Sequence, residues 1–269
     1  TLKLDELAAR ACGWLRESGE VSDIVISSRI RLARNLADFP FIRRCTEQDR
    51  AAVEKACHQA IAEVENWRDL IYVDVSTLAT LDRQFLVERQ LISRELAEAN
   101  GARSVAIEPH ETFSLMINEE DHLRLQVLQS GFNLEKAWEL AHQIDTELET
   151  TLRYSFLEEW GYLTACPTNV GTGMRASCML HLPCLVMTKQ INRVLHAVSK
   201  LGLTARGLYG EGTEATGNFF QLSNQVSLGL SEQDILEELE WLIQQVVDQE
   251  EAARKTLIRQ SRAALEDRI

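Results

Sequence analysis

No apolar run in this chain approaches the roughly 18 residues that a membrane span requires. Charges interrupt every apolar stretch of the N-terminal "TLKLDELAARACGWL", so it lacks the form of a signal peptide. Basic excess is missing too. Lysine and arginine number 28 against 41 aspartates and glutamates, a formal charge of −13, and so acidic a chain repels polyanions and anionic surfaces at long range. That excludes a general nucleic-acid or membrane-surface binder. The six cysteines (Cys12, Cys45, Cys57, Cys166, Cys178, Cys184) form no CxxC pair and no disulfide framework. They read as reduced, mostly buried thiols, and the expected compartment is the cytoplasm. Linkers rich in Pro, Gly or Ser, low-complexity tracts and internal repeats are also lacking along the 269 residues.

The common nucleotide signatures are absent as well. There is no G-x-x-x-x-G-K-[ST], no G-x-G-x-x-G and no paired H-R-D and D-F-G. The six histidines (His58, His110, His122, His142, His181, His196) and the cysteines lack metal-ligand spacing, so no protein-held metal is expected.

What is present alternates between two periods. Leu4, Leu7, Ala8, Ala11 and Leu15 follow helical spacing. Val53, Ala56, Cys57, Ala60, Ile61 and Val64 form another stripe, opened by the capping pattern Thr46-x-x-Asp49. A third runs from Leu134 through Ala141 to Leu152, and a fourth from Leu185 to Val198, closing at Gly202. Ser231 caps the longest, through Ile235, Leu239, Leu242 and Val246. Between the helices lie short strand candidates: "DIVIS", "LIYVDV", "RSVAIEP", "TFSLMIN", "HLRLQVL", "CMLHL", "LTARGLYG" and "NFFQLS". The three from Arg103 to Leu128 follow one another without a helix, so they must pair as antiparallel hairpins. The expected class is α+β, a large antiparallel sheet flanked by helices.

Arginines gather near strand ends and glycine turns. Arg29 and Arg31 in "SSRIR" share a face if the first strand continues. Arg124 interrupts an alternating strand, Arg175 follows the Gly171–Gly173 loop, and Arg206 precedes a glycine-rich turn. Brought together, these five would repel one another unless an anion lay among them, and the planar guanidinium fork suits phosphate oxygens. Carboxylates form a second set: Glu119, Glu120 and Asp121 end an apolar strand, and Glu211 and Glu214 lie in "YGEGTE". Such groups would suit a cationic acceptor beside a phosphate clamp.

The stretches "SSRIRLARNL", "NEEDHLRLQ", "CPTNVGTGMRAS" and "RGLYGEG" resemble, in order and spacing, the catalytic domain of the phosphagen (guanidino) kinases, and most closely the bacterial protein arginine kinases among them. The likeness runs from about Ser22 to the end of the chain. It implies a glutamine-synthetase-like antiparallel sheet with helices, and a catalytic domain over 23–255. An N-terminal helix (1–22) would precede it, and 256–269 would begin a C-terminal helical segment whose remainder, a phosphoarginine-binding and dimerisation region, is absent. The last pattern stops without a cap, so the natural protein is expected to continue.

The resemblance further implies that Ser27, Ser28, Arg29, Ile30 and Arg31 hold ATP, together with Gln90, Arg124, and the runs Arg175, Ala176, Ser177, Cys178, Met179 and Arg206, Gly207, Leu208, Tyr209, Gly210. The five arginines would contact its phosphates. Glu120 and Glu211 would grip the acceptor guanidinium, with Cys166 beside it. Gln90 stands in "ERQLIS" where the family usually has histidine, and Met179 where many small-molecule members do. Implied partners are ATP with Mg²⁺, proteins with accessible arginines, an McsA-like activator and a Clp-type protease system, with a homodimer among the assemblies allowed.

The expected chemistry follows from the acceptor. A guanidinium has a pKa above about 12 and no free lone pair. Glu120 and Glu211 would aim one nitrogen in line with the γ-phosphorus and accept its proton, while a Cys166 thiolate stabilises the cation. Arginines and Mg²⁺ would cancel charge on the phosphoryl group. Small-molecule members carry a helical domain ahead of "SSRIR", whereas 26 residues precede Ser27 here. An open site favours a protein arginine, for phosphorylation that marks proteins for quality control. A kinase of free arginine or creatine, and a catalytically silent nucleotide- or phosphoarginine-binding adaptor, are the alternatives.

Overall fold

The alternation of "VISSRIRLAR" is strong enough to carry the first strand through the arginines. In the computed structural model, which describes residues 21–207 and 216–266, β1 spans Val25–Arg34. It is followed by α1 (Glu47–Glu63), β2 (Ile71–Asp74), α2 (Thr80–Glu88), α3 (Arg94–Glu98), β3 (Ser104–Ile107), β4 (Phe113–Ile117) and β5 (Leu123–Ser130). Then come α4 (Leu134–Glu149), β6 (Phe156–Leu157), β7 (Gly161–Tyr162), β8 (Met174–His181), α5 (Pro183–Met187), α6 (Ile191–Lys200), β9 (Leu203–Gly207), β10 (Phe219–Asn224) and α7 (Glu232–Glu266). Eight strands form one sheet in the order β2-β3-β4-β5-β1-β8-β10-β9, every pair antiparallel. The α+β expectation and the β3-β4-β5 meander both hold.

The two faces of the sheet have different cover. Ile30, Leu32, Leu125, Val127, Ala176, Leu180 and Leu222 are buried in the main core, which α1, α4 and α7 share through Val53, Ala141, Ile144, Leu239 and Ile243. On the edge strands β2 to β4, the opposite face is covered by a second cluster of Val73, Val105, Met116, Leu86, Leu91 and Leu96, the last three from the α2–α3 lobe. That lobe stops at Met116. Beyond it, over β5, β1, β8, β10 and β9, this second face carries mainly polar side chains, with Leu128 and Met179 among them.

The Thr46–Asp49 capping box forms in full, each side chain accepting from the other residue's backbone N–H. Ser231 caps α7 likewise, its Oγ accepting from Asp234 N at 3.1 Å. The stripe from Leu185 to Val198 proves to be two helices rather than one. Lys189 adopts a left-handed φ of 58° between them, and Thr188 Oγ1 donates to Cys184 O at 2.8 Å, closing the first. Helix α7 runs unbroken past position 255. The N-terminal stripe up to Glu20, and with it Cys12, lies outside the described residues. Of the described cysteines, Cys57 and Cys178 are buried while Cys45, Cys166 and Cys184 are half-buried, fewer than expected inside. No described helix is long and apolar enough to cross a membrane.

Candidate active site

Strand register assembles the arginines. Arg31 lies opposite Arg175 across β1–β8 and opposite Gln126 across β1–β5. Arg29 faces Ser177 and Leu128, Ala33 faces Arg124, and Arg206 pairs with Gln221 on β10, which in turn faces Met179. Because paired residues share a face, Arg29, Arg31, Arg124, Arg175 and Arg206 all rise from the polar side of the sheet. All but Arg124 border a cleft of 1090 Å³ between that face and the α2–α3 lobe, lined by Arg29, Arg31, Gln90, Arg175, Met179 and Arg206 among others. Ser27 and Ser177 open on an adjoining recess.

Alternate members of the same runs point the other way. Ser28, Ile30, Ala176 and Cys178 are buried on the helix-covered side. Ser28 Oγ donates to Gly131 O at 2.8 Å and accepts from Asn133 N at 2.9 Å. A period of two, inherent in a strand, thus divides the runs that the resemblance implied into cleft-facing and core-facing halves. Leu208, Tyr209, Gly210 and Glu211 lie outside the described residues, and Gly207 ends β9 at the edge of them.

The electrostatics of the cluster are unfavourable as it stands. Burial, then the charges of Arg124 and Arg175, lower the Arg29 guanidinium to about 10. Burial and the neighbouring Arg29, Arg124 and Arg175 push Arg31 well below its ordinary value, with only Glu119 opposing. Arg31 Nε is buried without a hydrogen-bond partner. A guanidinium does not deprotonate in a protein, and an anion among these side chains would relieve the repulsion. Arg124 differs: burial lowers it, but Glu119, 2.5 Å away, together with Asp121 and Glu120 holds it above its ordinary value. Arg175 donates to Ser223 Oγ at 3.2 Å from Nη2, and Arg29 Nη1 donates to Gln90 Oε1 at 3.3 Å. Gln90 itself sits at a left-handed φ of 59°, its carbonyl accepting from Gln126 Nε2.

The carboxylate turn and the cysteine loop are tied together. Asp121, fully buried, accepts from Asn35 Nδ2 at 2.6 Å and from Ala165 N at 2.7 Å through one oxygen. Asn35 Nδ2 also donates to Leu163 O at 3.1 Å. Glu120 and Cys166 are therefore each one residue from the same hydrogen bond. Among the described residues the Glu120 carboxyl has no ion pair, and burial followed by the charges of Asp121 and Glu119 raises its pKa. Cys166 Sγ lies 3.0 Å from Thr168 Oγ1 on the 3-10 turn Pro167–Asn169.

The glycine loop is set by the chain's own packing. Gly171 has a φ of 113°, and a Cβ there would lie 2.6 Å from Ser227 O. A Cβ on Gly173 would lie 2.5 Å from Arg34 Nη1 and 2.7 Å from Ala33 O. Arg34 is the hub beneath the loop. It donates to Thr172 O at 3.0 Å and to Asp145 on α4 at 2.7 Å, and its guanidinium lies 3.5 Å from the Tyr162 ring centroid. Sequence reasoning missed Arg34, Asn35, Gln221, Ser223 and the α2–α3 lobe, and it read Asp121 as an acceptor carboxylate rather than as the tether to Ala165. The polar members of "NFFQLSN" at period two were a signal for Gln221 and Ser223; the lobe's short helices carried none strong enough.

An antiparallel sheet with one helix-covered face and an arginine-lined cleft on the other is the arrangement expected of a phosphotransferase for guanidino acceptors. The chain belongs to the ATP:guanido phosphotransferase family, whose C-terminal catalytic domain matches residues 52–253. It is 50% identical over 269 residues to the protein-arginine kinase of Symbiobacterium thermophilum, covering 98% of this chain and 76% of that one. It is 49% identical over 258 residues to that of Brevibacillus brevis, covering 95% and 72%. Among solved structures, lombricine kinase superposes with a TM-score of 0.77 at 25% identity, over 93% of this chain and 71% of that one. The duplicated taurocyamine kinase of Schistosoma mansoni with bound transition-state analogue components gives 0.77 at 26%, over 91% and 35%.

Proposed function

We propose that this protein transfers the γ-phosphoryl group of ATP to arginine side chains of proteins. The observation that carries the ATP half is the half-buried, mutually repelling Arg29–Arg31–Arg175 group, two members of which are lowered by burial and then by neighbouring arginine charges. The polypeptide acceptor is supported by the difference in likeness. Relatives near 50% identity are protein-arginine kinases, while the kinases of lombricine and taurocyamine stand at 25–26%.

In this reading the cleft arginines hold the triphosphate and neutralise the charge that develops on the moving group, with no reorganisation at the moment of transfer. Glu120 takes a proton from the attacking guanidino nitrogen as the N–P bond forms and the P–O bond to ADP breaks. Its raised pKa, above that of an exposed glutamate, makes it a better proton acceptor. Glu211 would grip the guanidinium from the other side, and Cys166, held by the Asp121–Ala165 bond, would fix its plane. Among the described residues no three His, Cys, Asp or Glu side chains converge to hold a metal. Mg²⁺ would enter on the nucleotide's phosphates, where it would supply charge neutralisation. A role in quality control, an McsA-like activator, a Clp-type protease and dimerisation remain part of the proposal through the family resemblance.

The test is site mapping by mass spectrometry after incubating an unfolded, arginine-containing polypeptide with MgATP. Acid-labile phosphate on arginine is expected. Phosphate confined to serine or threonine, or none, contradicts the reading.

A further inference from the structure

The hairpin β6–β7 and the segment after β10 expose large apolar side chains next to the cysteine loop. Phe156, Leu157 and Trp160 are 53%, 51% and 50% exposed, and Val226, Leu228 and Leu230 are 51%, 42% and 40% exposed. Scattered exposed apolar residues need no explanation, but a contiguous patch rimmed by polar groups marks an interaction site. Contiguity follows from three contacts. The Phe156 and Tyr162 rings are 5.2 Å apart, Tyr162 N donates to Gly171 O at 2.7 Å, and a Cβ on Gly171 would meet Leu228 Cα at 2.8 Å.

The same framework leads to the proposed acceptor position. Ser227, buried between the exposed Val226 and Leu228, donates its Oγ to Val170 O at 3.0 Å and to Thr168 O at 3.3 Å. Thr168 in turn touches Cys166. The patch is therefore hydrogen-bonded to the cysteine loop. Its hairpin tip adds two exposed carboxylates, Glu158 and Glu159. Apolar area beside negative charge, fixed to the acceptor loop, complements a segment that is both apolar and basic.

We infer that this patch docks an unfolded polypeptide segment whose apolar side chains flank the target arginine. The inference rests on the protein-arginine reading above and adds to it what is recognised: exposed core-type sequence, with selectivity residing outside the guanidinium pocket. Binding energy from such remote contacts lowers KM and leaves the transfer step alone.

The experiment compares the parent with Phe156→Ser/Trp160→Ser on two substrates, an unfolded polypeptide with Leu and Phe beside its arginines and a short arginine peptide flanked by Gly and Ser. KM for the first should rise about tenfold with kcat unchanged, and both constants for the second should stay as in the parent. Circular dichroism and melting confirm that the variant folds. Glu158→Lys/Glu159→Lys provides an independent variant, expected to weaken the same polypeptide and leave the Gly/Ser peptide unaffected. Fluorescence anisotropy of the labelled polypeptide without nucleotide reads docking alone. If the parent binds it and both variants bind less, the patch stands even should no arginine be phosphorylated, in which case the functional reading falls instead. Equal affinities and equal KM in parent and variants overturn the patch. So does a concentration-dependent dimer that the apolar substitutions dissociate while polypeptide affinity is unchanged.

Discussion

At the scale of single residues, adjacent carboxylates meet opposite surroundings. Glu119 is ion-paired with Arg124 at 2.5 Å, and against burial its pKa is lowered by Arg124 together with hydrogen bonds from Ser93 and the Glu120 backbone. Glu120 is half-buried among like charges and its pKa is raised. The run "NEED" made a carboxylate role legible, and the family resemblance singled out Glu120, but the division of labour depends on which side chain meets Arg124. No spacing rule contains that. Glu120→Gln should lower kcat by at least about 10²-fold, as loss of a general base does, with MgATP affinity measured by calorimetry nearly unchanged. The pH profile supplies a second check. Glu120 must be ionised to accept a proton, so rate falls as pH drops through its pKa. Because that pKa is raised, the acid limb lies above the range of an exposed glutamate, and Glu120→Gln abolishes the limb. Arg31→Ala has an unusual expected signature. It relieves repulsion in the unliganded protein, so melting without nucleotide should hold or rise, while MgATP affinity falls roughly 10- to 100-fold for the lost charged hydrogen bonds. Unchanged MgATP affinity would remove Arg31 from the clamp.

At the scale of elements, the strands were largely legible because alternation in "HLRLQVL" and "TFSLMIN" is undisturbed, and the β3–β5 meander follows from the lack of room for a crossover. The β6–β7 hairpin was not legible, for its strands have two residues each, too short for any period to register. Nor was the break at Lys189, since "MTKQ" contains no proline or glycine to announce it. Arg34 had no signal beyond its place in an arginine-rich strand, yet it joins β1, α4 and the glycine loop. The Arg34–Asp145 pair is buried at both ends, with side-chain exposures of 2% and 9%. Asp145→Ala leaves the guanidinium uncompensated and should cost about 3–5 kcal/mol, read from denaturant unfolding. Gly173→Ala meets both a φ of 64° and backbone at 2.7 Å. It should displace the loop that carries Arg175 and depress turnover more than it depresses the melting temperature; wild-type turnover would detach the loop from the site.

At the scale of the whole molecule, one sheet separates two environments. The helix-covered face supplies the core, and the opposite face gathers cations that an acidic chain of net charge −13 would otherwise keep dispersed. Their mutual repulsion falls when an anion lies among them, and a nucleotide that binds there should stabilise the fold, by about 2.7 kcal/mol at a hundredfold excess over Kd. The most direct test of the account is a comparison of initial rates with MgATP on an unstructured arginine-containing protein and on free L-arginine, followed as acid-labile N-phosphate. Efficient transfer to the protein and very poor transfer to the free amino acid is the predicted result. Efficient turnover of free arginine with none on protein would contradict it.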